Sequence, residues 1–440
     1  MDVIEAIRRA GVVGAGGAGF PTHVKLNGRA ERVILNGAEC EPLLMVDQHI
    51  MHRRAEDVVR GLELAMEAAH APEGVIATKA HYEDAVEALK RAIAQKPNLR
   101  LHLMESYYPS GDEKSVIYEV TGAVVPTGKL PIDAGCVVVN AGTALNIAAA
   151  VNGTPVTERI LTISGDVPEP VAVTVPLGVS LREALGLSGF RGDEREYALL
   201  SGGPCMGDLA QDWDAPVTKT TGGLIALKRT HQQIRIRTIT VAQQARLVRA
   251  ICCQCNRCTQ MCPRHAMGLP VEPHKAMRAI STGNALLLGD AAGVLACSSC
   301  GLCTNFACEM GLTPSVVMTM LKKELGKAGV RPVPEAEILP EPWLPLKSVP
   351  VKRLIARMNL TAFDRPAPWS GKTIAPKRVR LPLRQHAGKP SEPVVRVGDR
   401  VQKGQLIARI PEGALGAMLH ASVDGSIAEV NDRMIVLSGE

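Results

Sequence analysis

Eight of the twelve cysteines fall into two short runs. The first reads Cys252-x2-Cys255-x2-Cys258-x3-Cys262-Pro263, the second Cys297-x2-Cys300-x2-Cys303-x4-Cys308. Three thiolates at this spacing wrap one cubane [4Fe–4S] cluster, and the fourth cysteine of each run reaches across to the other cluster. The spacing therefore predicts one cluster on Cys252, Cys255, Cys258 and Cys308, and a second on Cys262, Cys297, Cys300 and Cys303. Zinc is the competing reading, because paired CxxC motifs also build tetrahedral sites. A zinc site needs only four ligands, however, and has no use for the third cysteine or the Cys-Pro. A chain loaded in this way moves electrons.

At 440 residues the chain is long enough for three or four domains, each with its own core. Hydrophobic content of 46% and charged content of 21% suit a globular protein, and only 3% aromatics make the cores aliphatic. The formal charge of +6 is modest and reads as spread along the chain. A basic stretch at Lys372, Lys377, Arg378 and Arg380 is too short and too poor in aromatics for a nucleic-acid surface. No apolar run reaches bilayer length; Cys136 to Val151 comes nearest but contains Asn140 and Asn146. Met1-Asp2 opens without a basic region and apolar core, so no secretory signal is expected. Cluster cysteines must stay reduced until loaded, which points to the cytoplasm.

Periodicity gives the rest of the layout. A short helix, Val3–Arg9, runs into the glycine-rich loop Gly11–Pro21. Strands are predicted at Arg32–Leu35, Gly74–Thr78 and near Leu99–Met104, and helices at Gln48–Ala69 and Glu83–Ala94. That alternation argues for an α/β domain with a largely parallel sheet. From Arg159 the pattern changes to short strands (Ile160–Gly165, Val171–Val175, Tyr197–Ser201) and one helix, Leu181–Leu185, a small α+β module of β-grasp type. Val241–Arg249 is expected to be helical, N-capped by Thr240 with Gln243 completing a capping box. Ser315–Leu325 is expected to leave the second cysteine run as a helix. Residues 331–374 are rich in proline and read as an extended linker. The tail breaks short strands at Gly398-Asp399, Gly404 and Asp424-Gly425 and resembles the barrel-sandwich fold of lipoyl and biotinyl domains. Lys403 stands at the wrong place for modification, so this unit is read as structural or docking.

Gly14-x-Gly16-x-x-Gly19 satisfies the dinucleotide-binding pattern but not its context, which demands a strand before and a helix after. Here a helix precedes and Pro21 interrupts. The physical use of the glycines survives: without Cβ atoms, backbone N–H groups approach a phosphate or an isoalloxazine ring closely.

The segment GAGGAGFPTHVK (Gly14–Lys25) closely resembles the flavin loop of the complex I flavoprotein subunit and of the C subunit of the Rnf electron-transport complex. VILNGAECEPLLMVDQHIM (Val33–Met51) matches the next block of that superfamily. Tyr108–Lys114 and Val138–Ala144 resemble its third and fourth pocket segments, and Ile163–Leu185 its β-grasp ligand-binding module. In the Rnf C subunit the barrel-sandwich unit comes first, whereas here it follows the cysteine runs. That order, with Cys308-Glu-Met-Gly-Leu-Thr-Pro-Ser, is similar to the cobalamin reductases of propanediol-utilisation microcompartments.

The resemblance implies a multidomain α/β and α+β chain. Its parts are a Rossmann-like FMN- and NADH-binding domain (1–155), an SLBB β-grasp domain (156–235), a helical di-cluster ferredoxin-type domain (236–330), the linker (331–374) and a barrel-sandwich hybrid domain (375–440). It implies FMN, two [4Fe–4S] clusters and NADH as cofactors. Gly14, Gly16, Gly17, Ala18 and Gly19 then form the backbone cradle, and Phe20 packs on a ring or staples the loop. Lys25 neutralises the FMN phosphate or meets its ring. Asn36 hydrogen-bonds the isoalloxazine edge, Glu39 and Glu41 shape the nicotinamide pocket, Asp112 and Glu113 belong to the third segment, and Asn140 and Thr143 meet the phosphate end. Cys253, Cys40, Cys136 and Cys205 are expected to be packing residues, and Asp47, His49 and His52 to lie on a helical face. No side-chain acid or base is assigned, because hydride and single-electron transfer belong to the cofactors. The implied activity is NADH-dependent reduction of cob(III)alamin and cob(II)alamin, supporting a B12-dependent diol dehydratase in a bacterial microcompartment. Cobalamin is the acceptor, and a cobalamin adenosyltransferase and shell proteins are possible partners. The alternative is a relay subunit that hands electrons from NADH to a partner protein.

Overall fold

The computed structural model describes residues 2–289, 291–335 and 337–439. The amino-terminal part runs α1 (Val3–Arg9), α2 (Thr22–Lys25), β1 (Arg32–Gly37), α3 (Val46–Arg53), α4 (Ala55–Ala68), β2 (Glu73–Lys79), α5 (Glu83–Ile93) and β3 (Leu99–Met104). It continues with β4 (Tyr107–Tyr108), α6 (Glu113–Thr121), β5 (Cys136–Asn140) and α7 (Ala141–Val151). Four strands pair in parallel in the order β3-β2-β1-β5. Val33, Ile34 and Leu35 of β1 are fully buried, as strands covered by helices on both faces require. Helices α4 and α7 touch at Gly61, where a Cβ would lie 1.9 Å from the Ala144 carbonyl oxygen. Strand order reverses between β1 and β5, which opens a crevice at their carboxyl ends, the place where such sheets bind ligands.

The expected helix 48–69 is two helices, α3 and α4. Arg54, at φ −131°, breaks the hydrogen-bond ladder between them.

A second sheet follows. It is built from β6 (Glu158–Gly165), β7 (Val171–Pro176), β8 (Tyr197–Ser201), β9 (Asp208–Leu209) and β10 (Gly223–Lys228), in the order β7-β6-β10-β8-β9. Helix α8 (Leu181–Gly186) packs its Leu181, Ala184 and Leu185 into this module's core. Its Ser180 and Glu183 form a capping box.

The cysteine lobe is helical: α9 (Gln232–Thr238), α10 (Val241–Ile251), α11 (Arg257–Gln260), α12 (Pro263–Ala266), α13 (Pro273–Thr282), α14 (Ala291–Leu295) and α15 (Pro314–Lys327). Thr240 and Gln243 cap α10 reciprocally, as their spacing predicts. The lobe's core is modest, with Val248, Leu269, Val271, Met277, Val294 and Val317 packed around several of the cysteines.

Residues 331–374 are not extended throughout. Val349–Pro350 (β11) pairs antiparallel with β4, and Val351–Arg357 forms helix α16. Leu354 and Met358, four apart on one helical face, are fully buried beside Ile355 and Leu360. No proline stands between Pro350 and Pro366, which leaves this apolar stripe free to coil. The segment thus straps the first domain to the cysteine lobe.

The tail forms two small sheets, β12 (Arg378–Pro382), β18 (Met434–Gly439), β17 (Gly425–Val430) and β14 (Arg400–Val401) in one, and β13 (Glu392–Pro393), β15 (Leu406–Arg409) and β16 (Leu419–His420) in the other. Its Val379, Ile407 and Leu437 share a core with Ile7 and Val12 of the first domain. Lys219 locks the junction: its buried ammonium donates to the carbonyls of Gly11 (2.6 Å) and Met418 (2.7 Å). Lys403 is held in an ion pair with Glu158.

Candidate functional site

The glycine loop is a hairpin-like arch over the crevice. Val13 bridges Pro21, and the Gly14 N–H donates to the Phe20 carbonyl (2.9 Å). The apex residues Gly16, Gly17 and Ala18 are exposed. A Cβ on Gly16 would lie 3.0 Å from Asn140 Nδ2, and one on Gly17 would meet nothing within 4 Å. Gly19, at φ +68°, is buried against Thr220 and the backbone of Gln385 and His386. Phe20 is 40% exposed and outside the described cores. The arch is pinned from both sides. Thr143 Oγ1 accepts from the Ala15 N–H (2.9 Å), and Arg159 Nη2 donates to the Ala15 carbonyl (2.7 Å).

Below the arch the carboxyl ends of the strands carry polar side chains. Asn140 caps α7 by accepting from the Gly142 N–H, and its Nδ2 donates to Asp47 (2.7 Å). Asn36 uses both ends of its amide within the chain, donating to the Gly111 carbonyl (3.0 Å) and accepting from the Ala38 N–H (3.2 Å). Glu39 accepts from the Asp47 N–H (3.1 Å). Burial raises both carboxyl pKa values, and the Asp47 charge raises Glu39 further; Lys79 and Arg159 counter the rise at Glu39, and Asn140 and Arg159 that at Asp47. Burial lowers Lys79 in turn. Cys40, expected to be a packing residue, sits in this wall: its sulfur accepts from the Gly111 N–H, and burial pushes its thiol up to about 12.

Glu41 faces the cysteine lobe. It accepts from the Cys205 N–H (2.9 Å) and lies 3.3 Å from the Tyr108 hydroxyl, and burial pushes its carboxyl up to about 7. The Tyr108 hydroxyl donates to the Cys300 carbonyl at 2.5 Å. Asp112 also turns away from the arch. It pairs with Arg264 (2.7 Å), whose Nη1 donates to the Ala296 carbonyl, with both side chains nearly buried. Lys25 and Glu113 pair with each other at the rim (2.6 Å), the former 29% and the latter 41% exposed.

The eight run cysteines gather in two groups of four. Burial first, then Cys308, Cys252 and Cys255, push the Cys258 thiol up to about 12. Burial, then Cys300 and Cys297, raise Cys262. Cys303 is raised by burial, then by Cys297, Cys300 and Cys262. Cys308 lines one cavity with Cys252, Cys255 and Cys258. Turns at positive φ wrap the spacers: Gln254 (58°), Asn256 (60°), Ser299 (59°) and Gly301 (76°). Such backbone is costly for residues other than glycine and marks sites under a specific demand. The Ser299 N–H donates to Cys297 Sγ (3.3 Å) and Gln254 Nε2 to Cys252 Sγ (3.2 Å), the kind of contact that tunes cluster potentials. The first group lines a cavity together with Cys253, which is exposed there and not a buried bystander. Among the described residues no His, Cys, Asp or Glu trio is drawn in tightly enough for a single ion.

Lys79 and Arg159 join the crevice without having been singled out from the sequence, and Asp47 was expected only on a helical face. Two of them carried a signal: Lys79 ends an otherwise apolar parallel strand, and Asp47 follows the Glu39–Glu41 turn closely.

Arch, crevice and cysteine lobe define a class, an oxidoreductase with an FMN-binding domain and an iron–sulfur dicluster domain. Residues 7–149 match the Nuo51 FMN-binding domain, 251–313 a 4Fe-4S dicluster domain, and 371–440 the RnfC barrel sandwich hybrid domain. The chain is 42% identical to "Cobalamin reductase PduS" of Salmonella typhimurium, over 99% of this chain and 96% of that protein. The same protein of Citrobacter freundii is 41% identical over the same shares. The chain belongs to this cobalamin reductase family. It is also 39% identical to the C subunit of the Na(+)-translocating ferredoxin:NAD(+) oxidoreductase complex of Acetobacterium woodii, over 60% of this chain and 58% of that protein. An air-oxidised NAD+-reducing [NiFe]-hydrogenase structure shares the fold over 83% of this chain and 67% of its own, at a TM-score of 0.50 and 21% identity. Among the described residues no helix is long and apolar enough to cross a membrane.

Proposed function

We propose that the chain is an NADH-dependent cobalamin reductase. Bound FMN would supply hydride acceptance from NADH, and two [4Fe–4S] clusters on the run cysteines would supply single-electron transfer towards cob(III)alamin and cob(II)alamin. The exposed apex Gly16–Ala18, with open space at Gly17, supplies the cradle for FMN, with Gly14 and Gly19 shaping its ends. Asn140 and Thr143 hold the α7 amino terminus and the arch in register for the phosphate end. Glu39 and Asp47, faced by Arg159 and Lys79, keep the crevice polar and close to neutral. Lys25 and Glu113 gate the rim. Cys252, Cys255, Cys258 and Cys308 would hold one cluster and Cys262, Cys297, Cys300 and Cys303 the other. We take the first sheet as a Rossmann-like FMN fold and the second as a β-grasp (SLBB) module, divided as the sequence suggested.

The observation that carries this reading is the Tyr108 hydroxyl, which joins the crevice wall at Glu41 to the Cys300 carbonyl. On this reading the Cys297–Cys303 loop is the side of the lobe that faces the flavin, and the Cys252–Cys258 loop faces solvent. The setting would be a B12-dependent diol dehydratase pathway in the cytoplasm, inside a bacterial microcompartment, with an adenosyltransferase and shell proteins as neighbours. The likeness to a component of an ion-translocating complex favours a second reading, a relay that delivers electrons to a protein partner. Anaerobic titration of the reconstituted chain with NADH, then with cobalamin, separates the two. Bleaching that recovers as cob(II)alamin forms supports the reductase, and bleaching that cobalamin leaves untouched favours the relay.

A further inference from the structure

The positive charge is not spread as the composition suggests. Between Asp214 and Glu272 there is no acidic residue, while nine lysines and arginines stand there. Seven of the nine are tied down. Lys219 is buried on two carbonyls, Lys228 pairs with Glu196, and Arg229 donates to the Glu194 carbonyl. Arg237 donates to the carbonyls of Gly207, Gln233 and Pro204, Arg249 to that of Ser281, and Arg257 and Arg264 pair with Glu309 and Asp112. The guanidinium groups of the remaining two, Arg235 and Arg246, have no partner among the described residues. Both line the same open cleft of about 470 Å³ between α9 and α10, with Thr238, Gln243 and Leu247.

Helix α10 connects the cleft to the first cysteine run. Helix α10 ends at Cys252, so Arg246 stands about 9 Å back along its axis. Leu247 and Ile251, four apart on one face and about two-fifths exposed, form an apolar track from the cleft towards the cavity. At its end Cys253 and Cys255 are exposed. One unpaired cation on α9, another on α10, and the apolar pair on α10 thus lie ahead of the exposed Cys253 and Cys255, which follow the end of α10.

We propose that the α9–α10 cleft is the docking site for the cobalamin acceptor, with Arg235 and Arg246 receiving the phosphodiester of its nucleotide loop. This rests on the reductase reading. The apolar track takes an edge of the corrin, and guanidinium groups suit a phosphodiester because they offer several fixed donors to its oxygens. The docked corrinoid is thereby held beside the surface cysteine group.

The test compares cobalamin with cobinamide, the same corrin lacking nucleotide and phosphate. Equilibrium dialysis against the reconstituted chain and its Arg235→Gln/Arg246→Gln variant gives both affinities, and stopped-flow mixing of the NADH-reduced proteins gives both reoxidation rates. Iron content, flavin content and bleaching by NADH check that the variant is loaded. The expected result is an affinity and a subsaturating rate about tenfold lower for cobalamin, with cobinamide changed by less than about twofold. Equal losses for both corrinoids, or none for either, overturn the proposal. If the reduced wild-type chain fails to react with either corrinoid, the reductase reading itself falls, and this site with it.

Discussion

The two cysteine groups are built from nearly the same spacing yet live in opposite surroundings. Cys297 and Cys300 are each 8% exposed, under a wall made by Tyr108, Glu41 and Arg264, whereas Cys255 is exposed and Cys252, Cys258 and Cys308 are half-buried around a cavity. The difference comes from what each loop touches. The second run is fixed to the first domain through Tyr108 and held over it by the strap from Val349 to Leu360. The first run is held mainly by its own lobe. Under the proposed function, similar motifs would take different roles, one facing the flavin and one facing the acceptor.

Removing the iron should break the comparison most severely. The lobe's apolar core is small and includes cysteines, so the metal supplies much of its folding free energy. Chelation should abolish amide protection across 241–327 while β1 and β2 stay protected, as hydrogen exchange will register. Next comes the ion pair that anchors the buried loop. Arg264→Ala leaves Asp112 charged and nearly buried, and should lower stability against urea by about 3 kcal/mol.

A smaller effect is expected from pH. Unfolded Glu titrates near ~4.3, and burial raises folded Glu41 to about 7. The folded chain thus holds this proton more tightly. The stability it contributes is full below the unfolded value and is lost as pH rises through about 7. Between pH 5 and 8 the loss should be ~2 kcal/mol, and Glu41→Gln should flatten part of the slope in urea melts at the two pH values. Smallest is the rim. Lys25 and Glu113 are partly solvated, so Lys25→Ala should cost at most ~0.5 kcal/mol of stability while weakening FMN retention, read by flavin fluorescence during dialysis.

Much of this architecture was legible in the sequence. The apolar runs at Val33–Leu35, Gly74–Thr78 and Leu99–Met104 became strands of one parallel sheet, and Thr240 with Gln243 capped α10 as their spacing implied. What could not be read was tertiary convergence. Arg159 reaches the arch from the second sheet, and Asp112 meets a lobe 152 positions away, so neither partner is announced by local pattern. Asn36 looked like a ligand contact because amides suit flavin edges, but the turn after β1 uses both ends of its amide. The strap was hidden by its prolines, which drew attention from the helical spacing of Leu354 and Met358.

The central claim, that the Cys297–Cys303 loop faces the flavin and the Cys252–Cys258 loop the acceptor, is tested most directly by two loaded variants, Cys300→Ser and Cys255→Ser. Each would be mixed anaerobically with NADH and followed by freeze-quench EPR. The account predicts that Cys255→Ser still shows rapid reduction at its intact 297–303 group, whereas in Cys300→Ser the flavin bleaches and the 252–258 group stays oxidised on that timescale. Rapid reduction of the 252–258 group in Cys300→Ser would contradict it.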